Sequence, residues 1–344
     1  MDPIKLTQTV KKGGCAAKLP AQSLRGVLDG LTMHRPTQLA VGSQSMDDAA
    51  LWDLGDGRFL IQTLDFFTPI VEDPFEFGQI AAANALSDIY AMGGQPSTAL
   101  TILGFPAASL PIDLLQPLMA GALDRIHASG ACLAGGHSIE NDALILGFSI
   151  AGFVAKNRAW TNAGAKPGDA LILTKGLGTG TITSGLKSGK SEPDWVASAI
   201  QSMITLNDCP ELLSNIDIHA ATDVTGFGLC GHALHIAQAS QVSLCFQTSR
   251  LPAIQGARTC LERGVLNRAH HTNRAYTEKH VSWGETAEID QWLTLDPQTS
   301  GGLLLAVAQD QVAETLNLLG PRFPSACQVG RVLAASDTEL IFEA

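Results

Sequence analysis

The stretch GQIAAANALSDIYAMGG, residues 78–94, decides how this chain is to be read. Ile80, Ala83, Ala85, Leu86 and Ile89 recur at helical spacing, and the Gly93-Gly94 pair closes the pattern as a C-terminal cap. A helix over residues 78–92 is the expectation. Asn84 and Asp88 stand four apart, so they share one face of a helix whose other side chains are apolar or small. A buried helix presents polar groups into a site in this way, and the small neighbours leave room for a ligand.

Residues 59–64 read as a strand ending in Asp65, followed by Phe66-Phe67-Thr68-Pro69. An acid there is either a cap of the next turn or a functional group, and local pattern does not separate the two. Earlier, Met46-Asp47-Asp48-Ala49-Ala50 sets two adjacent carboxylates ahead of Leu51 and Trp52. Asp48 is therefore expected near the start of a buried strand, where a carboxylate needs a metal or a base as partner. Beyond the central helix, residues 98–103 read as a strand, 114–126 as an amphipathic helix and 131–134 as a strand running into Gly135-Gly136-His137-Ser138. Paired glycines let backbone amides approach an anion, as phosphate-binding turns do, although short Gly-Gly loops are common. Residues 144–154 form a long apolar strand. The polar Gly/Pro stretch after it, residues 156–168, is the expected domain boundary.

The second half opens with a strand over residues 170–173 and the turn Thr174-Lys175-Gly176-Leu177-Gly178-Thr179-Gly180. That turn lacks the Gly-Lys-Ser/Thr ending of a P-loop. Residues 194–207 read as helical. Thr222-Asp223-Val224-Thr225-Gly226-Phe227-Gly228 then leads into a helix over residues 229–239, so Asp223 is either a helix cap or a metal ligand. Asp296-Pro297-Gln298-Thr299-Ser300-Gly301-Gly302 reads as a polar turn before a strand over residues 303–307. At the other end, Pro20, Leu24, Val27, Leu28 and Leu31 have helical spacing. Before them Gly13-Gly14-Cys15-Ala16-Ala17-Lys18 puts a thiol and an amine three residues apart on a small-residue backbone. Cys15 there is either a thiolate activated by Lys18, Lys11 and Lys12 or an unreactive residue of an ordinary N-terminal arm.

Length and composition bound the answer. A chain of 344 residues exceeds what one core usually serves, so two domains are expected. Hydrophobic residues make up 45% and charged residues 16%, which describes a compact globular enzyme. The net charge of −11 argues against a nucleic-acid partner and requires cations beside any phosphorylated substrate. Seven cysteines without a C-x-x-C pair read as reduced thiols. No apolar run is long enough to span a membrane and the first residues lack a signal-peptide core, so a cytoplasmic location is expected.

Taken in order, Gly14-Cys15 and Lys18, Asp47 to Ala50, Thr63 to Phe67, Asn84 to Asp88, Ala91 to Gly94, Ala134 to Ser138, Thr222 to Gly228 and Asp296 to Gly302 resemble the selenophosphate synthetase (selenide, water dikinase) family. This family lies within the aminoimidazole-ribonucleotide synthetase-like superfamily, and the Cys/Lys arm separates it from its relatives there. The resemblance implies a two-domain α/β fold of α+β type, with a mostly antiparallel N-terminal sheet and a C-terminal α/β domain. It places a flexible catalytic arm at residues 1–19, an ATP- and metal-binding, dimer-forming domain at 20–156 and a second domain at 157–344. The implied activity makes selenophosphate, AMP and orthophosphate from ATP, selenide and water, supplying activated selenium for selenocysteine and selenouridine. Cys15 and Lys18 match the catalytic pair. Asp48, Asp88 and Asp223, with Asp65 as a further candidate, match magnesium ligands. Lys18, Ser45, Met46, Asp47, Asp65, Asp88, Gly136, His137 and Ser138 match ATP contacts. All-oxygen ligands at strand and helix ends suit Mg2+, which shares its coordination sphere with phosphate and water. A homodimer and a selenium-delivery protein are the implied partners. Ala17 stands where many members carry a second cysteine, which excludes a mechanism needing a thiol pair there. Lys11-Lys12 and Gly176 also depart from the usual pattern. The rival readings are another ATP-using member of the superfamily, a small-molecule kinase or cyclo-ligase, and a magnesium-nucleotide sensor without chemistry.

Overall fold

The computed structural model describes residues 4–10, 13, 31–32, 34–42 and 45–344. Cys15, Lys18 and the helical pattern from Pro20 to Leu28 lie outside the described residues. The first part of the chain gives β1 (Leu39–Val41), β2 (Ala50–Asp53), β3 (Arg58–Phe67), α1 (Pro74–Ala91), β4 (Gln95–Phe105), α2 (Leu115–Ala128), β5 (Cys132–Glu140) and β6 (Ile145–Ala155). The strands form one six-stranded sheet in the order β1-β2-β3-β6-β4-β5. Every neighbouring pair is antiparallel except β4 and β5.

α1 starts where Asp73 accepts hydrogen bonds from the amides of Phe75 and Glu76, with Pro74 pre-set for the first turn. It is buried continuously from Phe77 to Ala91, which explains its run of alanines: neighbours press on it from several sides. Two glycines set its closest approach to α2. A Cβ on Gly78 would lie 2.0 Å from the Leu118 carbonyl oxygen, and one on Gly121 only 1.9 Å from that of Phe75. Any larger residue forces the helices apart.

The second part supplies β7 (Ala170–Leu173), α3 (Thr179–Ser188), α4 (Pro193–Ile204), β8 (Ile218–Asp223), α5 (Gly228–Ser240), β9 (Val242–Gln247), α6 (Ala257–Glu262), α7 (Arg268–Thr277), β10 (Val281–Ser282), α8 (Glu288–Leu295), β11 (Leu303–Val307), α9 (Val312–Leu319), β12 (Cys327–Ala334) and β13 (Leu340–Glu343). Its seven strands run β10-β13-β9-β12-β7-β11-β8, with parallel pairing at β10-β13-β9 and antiparallel pairing elsewhere. The α1 face reaches this half as well, and apolar residues of both halves, Leu86 and Val224 among them, belong to one continuous core.

One local expectation is corrected. Gly135-Gly136-His137-Ser138 is not a turn but the middle of β5, paired in parallel with residues 100–103 of β4. The two glycines take φ of 146° and 154°, and the register shifts between Ala99 and Leu100. The pair therefore makes a bulge within a strand, a role that composition alone does not distinguish from a loop. The glycine-rich stretch at residues 174–180 likewise leads directly into α3, a helix that its sequence did not announce.

Of the N-terminal residues, Leu6 is buried, the Thr7 amide donates to Glu72 at 3.1 Å and Lys187 Nζ donates to the Val10 carbonyl at 2.5 Å. These contacts tether the segment immediately before the Cys15/Lys18 stretch to both halves of the molecule. Among the described residues no helix is long and apolar enough to cross a membrane.

Candidate active site

α1 presents Asn84, Ser87 and Asp88 on one face, at the i, i+3, i+4 spacing that aligns side chains along a helix. Asn84 is fully buried. Its Nδ2 donates to Asp65 Oδ2 at 2.6 Å, and its Oδ1 accepts the Ser300 amide at 2.8 Å. The carboxamide thus ties β3 of the first sheet to the polar turn before β11. Ser87 Oγ donates to Asp223 Oδ2 at 2.6 Å and accepts from Asn207 Nδ2 at 2.9 Å, and Asn207 also donates to the Gly301 carbonyl. Asp88 accepts a short hydrogen bond from the Thr63 hydroxyl on β3.

Asp48 comes from the loop before β2, and β8 ends on Asp223. Thr222 Oγ1 donates to Asp48 Oδ1 at 3.0 Å, and the Asp223 amide approaches Asp48 Oδ2 at 3.4 Å. Ligating atoms of Asp48, Asp223 and His232 all lie within 4.8 Å of one another. Asp48 and Asp223, 175 positions apart, therefore converge, and Asp88 lies close enough for the charges of Asp223, Asp65 and Asp48 to act on it.

The electrostatics of this cluster are those of a site that expects a cation. Burial and then the charge of Asp223 hold the carboxyl of Asp48 well above the usual carboxylate range. Burial, followed by the charges of Asp223, Asp65 and Asp48, does the same to Asp88. Crowded carboxylates ionise together only when positive charge compensates them. The carboxylates offer oxygen donors, part of them fixed by Thr63 and Ser87, and such donors fit a hard divalent cation. Lys175 adds a buried ammonium, pushed down to about 7 by lost hydration against the pull of Asp223, with Nζ on the carbonyls of Thr205 and Ser300.

The other anticipated residues are placed less centrally. Asp47 is tied to the second half instead: its Oδ1 accepts the Asn162 amide at 2.6 Å, while the Met46 carbonyl accepts from Asn162 Nδ2 at 2.7 Å. Met46 adopts a left-handed φ of 56° in the process. Ser45 and Asp47 line an open cavity of about 370 Å³ together with His34, Arg35, Val41 and Thr161. Gly136, His137 and Ser138 lie on the exposed edge strand β5, separated from β3 and Asp65 by β6 and β4. Three strand spacings amount to about 14 Å. Within one chain they do not meet the carboxylates.

Sequence reasoning passed over Ser87, Lys175, Asn207 and His232. Ser87 was within reach, because it completes the polar face begun by Asn84 and Asp88. Asn207 and Lys175 carry no local signal, and their role rests on tertiary contacts with the turn at residues 300–301.

Residues 46–154 match the family described as AIR synthase related protein, N-terminal domain, and residues 166–343 match its C-terminal domain. A selenide, water dikinase of Bdellovibrio bacteriovorus is 48% identical over 344 residues, covering 99% of this chain and 98% of its own. One from Nitrosomonas eutropha is 44% identical, covering 99% of both. The chain belongs to the selenide, water dikinase family. Among solved structures, thiamine-monophosphate kinase from Stenotrophomonas maltophilia superposes with a TM-score of 0.66 at 20% identity, covering 95% of this chain and 96% of that one. A hydrogenase maturation protein in complex with ATP superposes with a TM-score of 0.65 at 17% identity, covering 96% and 88%. These two establish the fold, and the expected two-sheet, aminoimidazole-ribonucleotide synthetase-like architecture of a selenide, water dikinase is what the chain adopts.

Proposed function

We propose that the protein converts ATP, selenide and water into selenophosphate, AMP and orthophosphate. Support comes from its membership of the selenide, water dikinase family together with the convergence of Asp48, Asp88 and Asp223 from both halves of the chain. Asp48, Asp88 and Asp223 are the magnesium ligands in this reading, and Asp65 lies beside them. Bound magnesium would neutralise the phosphates and polarise the phosphoryl group under attack. Thr63 fixes Asp88, Ser87 fixes Asp223 and Asn84 fixes Asp65, so the carboxylates are held before the nucleotide arrives. The cavity flanked by Ser45 and Asp47 is large enough for part of a nucleotide, and Arg35 brings positive charge to its wall. Cys15 holds or delivers the selenium nucleophile, and Lys18 offsets charge on the transferring phosphoryl group.

The reading includes a homodimer formed by the open face of the first sheet. Leu64, Phe66, Leu100 and Ile139 are exposed there, an apolar patch of the kind that marks an interaction surface. Pairing through that face would carry Gly136, His137 and Ser138 of one copy toward the nucleotide site of the other. The domains are residues 20–156 and 157–344, preceded by a catalytic arm, the enzyme is cytoplasmic, and selenium reaches it from a delivery protein. Chromatographic separation of adenine nucleotides tests the reaction: selenide-dependent conversion of ATP to AMP supports it, and conversion to ADP alone contradicts it.

A further inference from the structure

His232 sits one helical turn into α5, 5% exposed, facing the strand end that carries Asp223. Its Nε2 accepts the backbone amide of Thr225 at 3.1 Å, with the Thr225 hydroxyl 3.2 Å away. An amide N–H can only donate, so Nε2 carries a lone pair and the ring proton of the neutral imidazole is on Nδ1. Nδ1 lies 3.4 Å from Thr222 Oγ1. The Thr222 hydroxyl has one proton and two acceptors in reach, Asp48 Oδ1 at 3.0 Å and the Asp223 carbonyl at 3.2 Å. A donor entering from His232 leaves that proton for the nearer acceptor, which is the charged one when Asp48 is ionised.

Proximity of His232 to Asp48 and Asp223 suggests a three-residue metal centre, but the hydrogen bonds oppose it. Ligation through Nδ1 would move the ring proton to Nε2 and leave the buried Thr225 amide without an acceptor. Mg2+ also prefers oxygen donors to imidazole.

We infer that His232 is a positioning residue: through the relay His232 Nδ1–H to Thr222 Oγ1–H to Asp48 Oδ1 it orients Asp48 for the cation without touching the cation itself. Outer partners of this sort change metal affinity by about 10- to 100-fold when removed. Phe227 packs its ring 5.6 Å from that of His232 and holds the imidazole in its plane of approach. The relay rests on Asp48 being a metal ligand, as the proposed function has it.

The test uses the full chain and Mn2+ as a paramagnetic stand-in, with binding followed by electron paramagnetic resonance. His232→Leu and Thr222→Val should each weaken Mn2+ binding about tenfold. The double variant should be no weaker than either single one, because both substitutions cut the same chain. Thr222→Ser and His232→Asn, which each keep a donor near the same place, should recover much of the affinity, and equal thermal midpoints among the variants separate positioning from misfolding. Bound Mn2+ should show no directly coordinated 14N. A strong 14N coupling lost in His232→Leu overturns the relay in favour of ligation, and additive losses, or parent affinity in His232→Leu, overturn it outright. If Asp48→Asn binds Mn2+ like the parent, the metal assignment itself fails, which is a different result from failure of the relay alone.

Discussion

The Ser300 amide donates to Asn84 Oδ1 at 2.8 Å across 216 positions of sequence, and the same carboxamide donates to Asp65. One side chain on α1 thereby couples the turn before β11 to an acid on β3. Asn84→Ala should leave the buried Ser300 amide unsatisfied at a cost of about 1–3 kcal/mol. Chemical denaturation of the variant measures that loss. Nucleotide affinity should fall with it, because Asp65 loses its fixed partner, and a variant as stable as the parent would show that the link carries no weight.

Asp48→Asn, Asp88→Asn and Asp223→Asn should each raise the Mg2+ concentration needed for half-maximal ATP turnover by about tenfold or more. Chelation of the parent should abolish turnover, and added Mg2+ should restore it. Parent-like Mg2+ dependence in all three variants would remove these carboxylates from the metal site.

Lys18→Ala and Cys15→Ser should fail differently. The ammonium acts on the transferring phosphoryl, so Lys18→Ala should stop ATP consumption altogether. Serine keeps nearly the shape of cysteine but stays un-ionised at neutral pH, so Cys15→Ser should fold and bind ATP while selenophosphate yield collapses. Measuring ATP loss and selenophosphate side by side, with selenide in excess, distinguishes the two. Parent-like yield from Cys15→Ser would take the thiol out of the mechanism.

A buried pair behind α3 gives a pH test. Burial pushes the Asp296 carboxyl up to about 7 from 3.8, and burial, then the charge of His271, pushes His270 down to about 3 from 6.5. Asp296 keeps a proton that the unfolded chain loses, so its contribution is whole below 3.8 and is lost as pH rises to about 7. His270 lacks a proton that the unfolded chain gains, so its contribution is whole above 6.5 and is lost as pH falls to about 3. Between 3.8 and 6.5 the two slopes oppose each other and nearly cancel in the parent. Asp296→Asn should therefore become more stable with rising pH in that window, and His270→Gln less stable. Urea unfolding at pH 4.5 and 6.5 reads both, and slopes of the same sign in the two variants would contradict the assignment.

The periodic elements were legible in the sequence because burial imposes their pattern. The strands at residues 170–173 and 303–307 have the bounds read from the sequence pattern, and the helix expected at 78–92 runs Pro74–Ala91, starting a turn earlier where Asp73 supplies the cap and ending on Met92 as its C-cap. The carboxylates were legible as residues out of place: Asp48 before an apolar strand and Asp88 on a small-residue helix face had no ordinary explanation. What stayed hidden depends on contacts between distant segments. Lys175 and Asn207 meet the site through the carbonyls of Ser300 and Gly301, and His232 through an amide in its own preceding turn. The Gly135-Gly136 pair misled for a different reason, since glycine marks positive φ equally in loops and in bulged strands.

Phosphorus NMR of the protein with Mg2+, ATP and selenide under anaerobic conditions tests the central claim most directly. The account predicts a new selenophosphate resonance growing in step with AMP and orthophosphate, in equal amounts, and dependent on selenide. Loss of ATP to ADP and orthophosphate with no selenium-bonded phosphorus, at any selenide concentration, would contradict it.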